Sequence, residues 1–438
     1  MFVLVWNAIT LACLYCVGAW AVSAWPALHR RRTLTIWAIA GIWTTPTLTH
    51  FVAFRWHAMA IPAMVATMTV IALAMTGPGL GLVCLVSWLL RRHSRTSHRR
   101  GGRLAAPLEL PHRPEGRSAA PLELPHRPEG RFAAPLELPH RPEGRSAAPL
   151  ELPPSDDGAW VMTRRQWIEA TSGLILFGGT TATLGWGFVR GRHAFETIEI
   201  AVPIVGLPRT LDGYVIAQIS DIHAGSFVGE SELAEGFALV RRARADLIVV
   251  TGDLVDLDPG FAPLVARRLA DLRARDGVVV ALGNHDYYAG RDQVLAALER
   301  AGVDALVDRG RVIRPGDTGG FALLGVDDLA SPRWGGSGPN LDRALSTIPP
   351  HLPRVLLSHQ PQSIDAWAGR IDLQLSGHTH GGQINPGFRP ADLIFPYVAG
   401  TYRVSETTLY VNRGFGTVGP PARVMAPPEV TRIVLVAA

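Results

Sequence analysis

The sequence predicts an α/β fold for the second half of the chain, behind a set of membrane-spanning helices. Three observations carry that prediction. Five apolar, β-branched runs read as strands: Tyr214 to Ile219, Leu247 to Val250, Val278 to Leu282, Val355 to Leu357 and Ile371 to Leu375. Stretches with helical apolar spacing, Glu230 to Ala245, Ala262 to Arg275 and Arg291 to Ala301, lie among them. The first 90 residues carry four Arg, no acid and long apolar runs.

Those runs come first in chain order. Phe2 to Trp25 and Thr33 to Phe54 hold about 24 and about 22 residues, and a span needs about 20. Ala58 to Leu90 is longer than one span requires, so it reads as one tilted helix or as a helix behind an interfacial segment, with Gly77-Pro78-Gly79 able to kink it. A fourth apolar run extends from Ala170 to Val189 behind Arg164 and Arg165. Arg30 to Arg32, Arg91 to Arg100 and Arg164-Arg165 all fall on one side if the N-terminus lies outside. A multi-pass protein of the cell membrane follows, its second half extracytoplasmic and the bilayer its first partner. Thr163-Arg-Arg-Gln-Trp167 also resembles a twin-arginine export signal; the plainer reading is a positively flanked anchor.

Between the third and fourth spans a 14-residue unit, RLAAPLELPHRPEG, recurs from Arg103, Arg117 and Arg131 and imperfectly from Arg145. Each full copy has three prolines, which exclude a continuous helix and favour an extended, semi-rigid linker. The domains are therefore 1–92 (about three helices), 93–160 (basic segment and repeats), 161–192 (fourth helix) and 193–438. All 42 basic residues are Arg. Residues 193–438 hold 22 of them against 27 acids, so the positive excess belongs to the membrane half and nucleic acid is not an expected partner. Cys13, Cys16 and Cys84 all sit in apolar segments, so no disulfide framework exists.

Each of the five strands ends on residues that hold metals: Asp221-Ile-His223, Gly252-Asp253-Leu-Val-Asp256, Gly283-Asn284-His285-Asp286, Ser358-His359 and Gly377-His378-Thr-His380. Strand ends meet at the carboxyl edge of a sheet, where α/β folds bind ligands. Carboxylates, imidazoles and one carboxamide around a point suit Mn, Fe or Zn better than Ca or Mg. Gly252, Gly283 and Gly377 precede ligands where a strand turns sharply. A two-metal hydrolase is the expectation.

Those five motifs, in order and complete, resemble the calcineurin-like metallophosphoesterases over roughly residues 195 to 438. The continuations Gly381-Gly382-Gln383, Tyr410-Val-Asn-Arg-Gly414 and Pro427-Pro-Glu429 look like a bacterial membrane-associated subgroup, some of whose members act on cell-envelope phospho-compounds. The resemblance implies a two-sheet sandwich flanked by helices, following about four transmembrane helices. It implies two divalent metal ions, one held by Asp221, His223, Asp253 and His380. The second would take Asp253, Asn284, His359 and His378, with Asp253 bridging and water activated between the cations as nucleophile. His285 would be the general acid or transition-state stabiliser, oriented by Asp286, and Asp256 would stand behind the ligands. Gly381 and Gly382 would bring backbone N–H groups near phosphate. Arg413 is either a phosphate contact or a structural ion pair.

Asp256 is followed by Leu-Asp rather than Arg-Gly, which disfavours a phosphoprotein phosphatase, and His223 disfavours a purple acid phosphatase. The loop Asp327 to Asn340, with Trp334, would line the site beside an acyl or sugar group. The substrate expected is a phosphate ester or diphosphate, a phosphorylated small molecule or a lipid-linked compound. The alternatives are a cyclic-nucleotide-type phosphodiesterase and a non-enzymatic metal-binding membrane sensor. Oligomeric state is open.

Overall fold

The computed structural model describes residues 2–24, 28, 33–34, 38, 41, 60–101, 162–314 and 319–438. The expected second span (33–54) and the tandem repeats fall, but for isolated positions, outside the described residues. Helix α1 is Phe2–Ala24, α2 Ala60–Gly101 and α3 Arg164–Val189. Of the two readings open for the third apolar run, the continuous helix is the one found. Its 42 residues pass through Pro78; at 1.5 Å per residue that is about 63 Å, roughly twice the hydrocarbon thickness. Helix α3 starts six residues before the expected span, so Arg164 and Arg165 form its first turn. Among the described residues, Met68–Val86 and Arg164–His193 are long and apolar enough to cross a membrane, and Thr10–Ser23 is a shorter apolar helix.

Small residues let these helices touch. A Cβ on Gly77 would meet the Cys13 carbonyl, one on Gly81 would lie 3.2 Å from Cys16 Sγ, and one on Gly173 would enter the Trp20 ring. The buried Glu169 of α3 is satisfied from α1: Trp20 Nε1 donates to its carbonyl (2.7 Å) and Ser23 Oγ to its carboxylate (2.9 Å).

From α3 the chain passes through a 3₁₀ turn, Gly191–His193, into twelve strands: β1 Glu196–Ile204, β2 Tyr214–Ile219, β3 Leu247–Thr251, β4 Val278–Ala281, β5 Asp304–Ala305, β6 Arg309–Ile313, β7 Phe321–Gly325, β8 Arg354–Leu357, β9 Leu373–Ser376, β10 Gly400–Val404, β11 Thr407–Val411 and β12 Glu429–Ala437. They form two six-stranded mixed sheets, ordered β1-β12-β2-β3-β4-β5 and β10-β11-β9-β8-β7-β6. Each has parallel central strands, β2-β3-β4 in one and β7-β8-β9-β11 in the other. Parallel neighbours end on the same side, which is why their C-terminal loops can converge.

Period-two alternation sorts the strand residues into layers. Ile216, Val249, Val279, Ala281, Val355, Leu357 and Leu375 fill the space between the sheets. Ala217, Ile248, Val250 and Val280 face away, onto helices α4 (Glu230–Arg242), α5 (Ala262–Ala270) and α6 (Asn284–Arg300). On the second sheet Ala322, Leu324, Leu356 and Leu409 cover α7 (Leu341–Leu345) and α8 (Ile364–Trp367). The result is the expected α/β sandwich with flanking helices. Polar pins cross it, among them Gln218 of β2, which donates to Thr251 Oγ1 (3.0 Å) and to the Ser376 carbonyl of β9 (2.9 Å) just below the loops.

Candidate metal centre

Loops after β2, β3, β4, β8 and β9 bring Asp221, His223, Asp253, Asn284, His359, His378 and His380 to one rim, where all but His378 are buried. Backbone pairing sets the spacing: Asp221 N–H donates to Gly252 O (2.9 Å), His223 N–H to Asp253 O (3.0 Å) and Gly377 N–H to His359 O (3.0 Å). Five of the seven, Asp221, His223, Asp253, His378 and His380, have left-handed φ between 49° and 74°. Non-glycine residues adopt that region seldom, at a cost of about 1–3 kcal/mol each, and they concentrate at functional sites.

The side chains form two groups that share Asp253. On one side Asp221, His223 and His380 converge, with His380 Nε2 3.4 Å from Asp221 Oδ1 and 3.0 Å from His223 Nε2. On the other, His359 Nε2 lies 3.3 Å from His378 Nδ1. Asp253 Oδ2 faces both, 3.5 Å from His223 Nε2 and 3.2 Å from His359 Nε2. His359 Nδ1 donates to the Thr251 carbonyl (2.8 Å), which fixes the ring with Nε2 turned toward Asp253 Oδ2. The Asn284 Oδ1 is buried without a hydrogen-bond partner. Imidazole nitrogens facing one another and an orphaned carboxamide oxygen are the arrangement of a ligand set, so these residues fit divalent cations. Gly377 and Gly283 are required sterically: a Cβ on the first would run into Asp221 and Ser220, and one on the second into Asp253.

The site's charges reinforce this arrangement. Burial and the charge of His359 press His378 down to about 3, and burial together with His223 and Arg423 holds His380 well below the ordinary range, so both rings are neutral and able to ligate. Burial opposes a charge on His285, yet the Asp253 carboxylate and the hydrogen bonds of Asp256 push it up to about 9.

His285 stands at the edge of the site, its backbone N–H donating to Asp253 Oδ1 (2.8 Å). Its expected partner is corrected by the structure. The ring is held by Asp256, whose carbonyl accepts from Nδ1 (2.9 Å) and whose carboxylate lies 3.2 Å away. Asp286 instead accepts backbone N–H bonds from Asp253 (3.0 Å), Leu254 (2.9 Å) and Gly283 (2.9 Å), so it shapes the loops that carry Asp253 and Asn284. Burial and the Asp253 charge raise its carboxyl to about 7.

The residues named for phosphate contact have these surroundings. Arg413 donates to Glu429 (2.6 Å) and Glu196 (2.9 Å), the structural ion pair of its two readings. Gly382 donates its N–H to Thr379 O (2.9 Å), so that donor is already used, while Gly381 lies against the Arg413 side chain.

Two features escaped the sequence reading, and a third fills in the loop 327–340 that was expected beside the site. Arg423, 1% exposed, donates to the Gly416 (2.6 Å) and Ala426 (2.9 Å) carbonyls and stands 3.3 Å from His380 Nδ1. An isolated Arg in the apolar, proline-rich stretch 418–428 was the available signal. Asp328, just past β7, is buried with one carboxylate oxygen unpartnered. Finally, the rings of His285, Tyr288 and Trp334 form a chain, with centroids 5.0 and 5.1 Å apart, leading outward from the site.

A model of the calcineurin-like phosphoesterase family matches residues 214–382. A "Transmembrane protein with metallophosphoesterase domain" of Danio rerio is 37% identical over 265 residues, covering 58% of this chain and 61% of that protein. "Uncharacterized metallophosphoesterase YkuE" of Bacillus subtilis is 31% identical over 280 residues, 62% of this chain and 96% of that protein. An "Uncharacterized metallophosphoesterase" of Aquifex aeolicus is 32% identical over 223 residues, 50% of this chain and 84% of that one. The chain thus spans about three fifths of the zebrafish relative and nearly all of the Bacillus one.

Proposed function

The chain belongs to the calcineurin-like metallophosphoesterases, hydrolases of phosphoric esters, and from that premise we propose that it cleaves a phosphate ester or diphosphate of a lipid-linked substrate beside a membrane. The observation that carries the binuclear reading is Asp253, whose Oδ2 faces His223 and His359, one from each ligand group. Asp221, His223, Asp253 and His380 would hold one cation, and Asp253, Asn284, His359 and His378 the other. Bound there, divalent cations supply Lewis acidity that lowers the pKa of water and neutralises phosphoryl oxygens.

The chain's own residues do the rest. Asp256 engages His285 Nδ1, which leaves Nε2 to give a proton to the departing oxygen. Asp286 holds the Asp253 and Asn284 loops in register through three short backbone bonds. Tyr288 and Trp334 extend from His285 on the leaving-group side and offer an apolar wall to whatever the phosphate is attached to.

The membrane part of the proposal rests on two apolar helices and on the printed name of the zebrafish relative. With four spans the arginines at 30–32, 91–100 and 164–165 share one face, and the hydrolase domain lies on the other. The test uses the full chain in detergent, stripped by a chelator and reloaded with Mn²⁺. It is offered bis-p-nitrophenyl phosphate and a diphosphate lipid in mixed micelles. Hydrolysis should require the metal, favour the lipid and vanish in Asp253→Ala. Turnover that survives chelation, or that is equal in Asp253→Ala, would remove the proposal.

A further inference from the structure

Four large apolar side chains stand in solvent on two neighbouring segments: Phe388 (63% exposed), Leu393 (85%) and Ile394 on one, Met425 (70%) on the other. Apolar residues scattered singly need no explanation, but clustered ones mark an interaction surface. Asn385 ties the segments together, its N–H donating to Val424 O (3.0 Å) and its Nδ2 to Met425 O (3.4 Å). The one charged pair in the loop neutralises itself, Arg389 Nε donating to Asp392 Oδ1 (2.7 Å).

What this surface meets is indicated by its attachment. The same segments grip the end of α3. Val424 and Ile384 pack with Leu184 of α3 and Ala72 of α2, and Arg423 N–H donates to Gly187 O (3.1 Å). Met425 and the start of the loop therefore adjoin residues that contact the last turns of α3, where Trp186, Val189 and Arg190 are exposed. Aromatic and basic residues at the end of an apolar helix are the signature of the headgroup zone. The other side of the loop faces the metal centre: the Phe395 ring lies 6.0 Å from that of His378, and a Cβ on Gly382 would lie 3.0 Å from Arg389 and 3.4 Å from Ala391.

We propose that the loop 386–394 and Met425 form an interfacial anchor seated in the bilayer surface, holding the His378–His380 rim against lipid headgroups. The inference rests on the reading of α2 and α3 as membrane-spanning and adds to it a second, non-helical contact. Its occupant is lipid, because the surface is continuous with the helix end. It also narrows the substrate to one whose phosphate lies at headgroup depth, reached without leaving the membrane.

The test places a single environment-sensitive probe on full-length protein in phosphatidylcholine–phosphatidylglycerol vesicles, after replacing Cys13, Cys16 and Cys84 with Ala. Probes go at Leu393→Cys and, separately, Met425→Cys; both side chains are exposed, so neither change disturbs packing. Ile175→Cys, on the exposed face of α3, reports insertion, and Glu406→Cys, at the opposite end of β11 from the metal rim, reports solvent. Lipids with a nitroxide near the headgroup should quench most of the Leu393 and Met425 emission and leave Glu406 bright. If Ile175 is quenched by chain-labelled lipid while Leu393 answers only to aqueous iodide, the anchor is overturned and the spans stand. Protection of Leu393 from both quenchers would mean that protein covers it, which also overturns the anchor. Failure to quench Ile175 would remove the membrane reading and the inference together.

Discussion

Gly187, in the last turn of helix α3, accepts a hydrogen bond from the Arg423 N–H (3.1 Å), and the same Arg423 places its guanidinium 3.3 Å from Nδ1 of His380. One residue thus links the end of an apolar helix to a metal-ligand candidate. The contact depends on a missing side chain, since a Cβ on Gly187 would lie 2.8 Å from Val424 Cγ2 and 2.9 Å from Arg423 O. Gly187→Val should therefore displace the 423–424 loop, costing about 1–3 kcal/mol by overpacking. Activity and metal content should fall together. Gly179→Val, on the same helix with nothing within 4 Å, is the control and should change neither. Equal behaviour of the two variants in an assay of the full chain would dissolve the link.

Asp253 carries the binuclear reading, and its removal should be felt on both sides. In Asp253→Ala the carboxylate that faces both His223 and His359 is gone. Elemental analysis of the reloaded protein should find metal content reduced from two ions to at most one, with turnover down by about 10²-fold or more. Retention of both ions would show that the two half-sites are independent.

Asp286 and His285 are neighbours with separable roles. The buried Asp286 carboxyl accepts three backbone N–H bonds, each worth about 0.5–1.5 kcal/mol. Asp286→Asn should lower the melting temperature and weaken metal retention. His285→Ala should leave metal content and melting almost unchanged while cutting turnover by about 10²–10⁴-fold, most for substrates with poor leaving groups. Comparable thermal destabilisation by both changes would contradict this division.

The five ligand-bearing loops were legible because each follows an apolar run and each ligand type is rare there; the strands run at 214–219, 247–251, 278–281, 354–357 and 373–376, within two residues of the reading. The three helices were also anticipated, the second ending at Ala270 rather than Arg275; the third begins near Arg291 as expected, and a short helical segment from Asn284, started by the Gly283 N–H bond to Asp286 and ended by the non-helical Gly290 (φ 132°), precedes it without a signal in the apolar spacing. Long-range partners were illegible. Local sequence does not show that Arg423 lies against His380, 43 residues earlier, or that Glu169 is satisfied by Trp20 and Ser23, nearly 150 residues away. The choice between Asp256 and Asp286 for His285 turned on side-chain direction, which the motif leaves unspecified.

Trp334 should act on binding rather than on chemistry. It is half exposed and touches Tyr288, not a ligand. Trp334→Ala removes apolar area beside the leaving group, worth about 1–2 kcal/mol for a bulky substituent. KM for a lipid-linked or aromatic ester should rise about tenfold at nearly constant kcat, and a small phosphoester should be unaffected. A matching fall in kcat for both substrates would place Trp334 in the catalytic machinery instead.

Arg413 takes the structural one of its two readings, donating to Glu429 and Glu196. A phosphate-binding arginine, when truncated, raises KM and leaves the fold intact. This one donates to Glu429, which is 2% exposed and also accepts from the Tyr410 and Thr431 hydroxyls. Removing the cation strands a buried carboxylate, a loss on the order of 3 kcal/mol. Arg413→Ala should therefore lower the melting temperature of the full chain by several degrees, and the double change Arg413→Met with Glu429→Gln should recover much of that loss. If Arg413→Ala melts like the parent and shows only a raised KM, the guanidinium belongs to the substrate rather than to the scaffold.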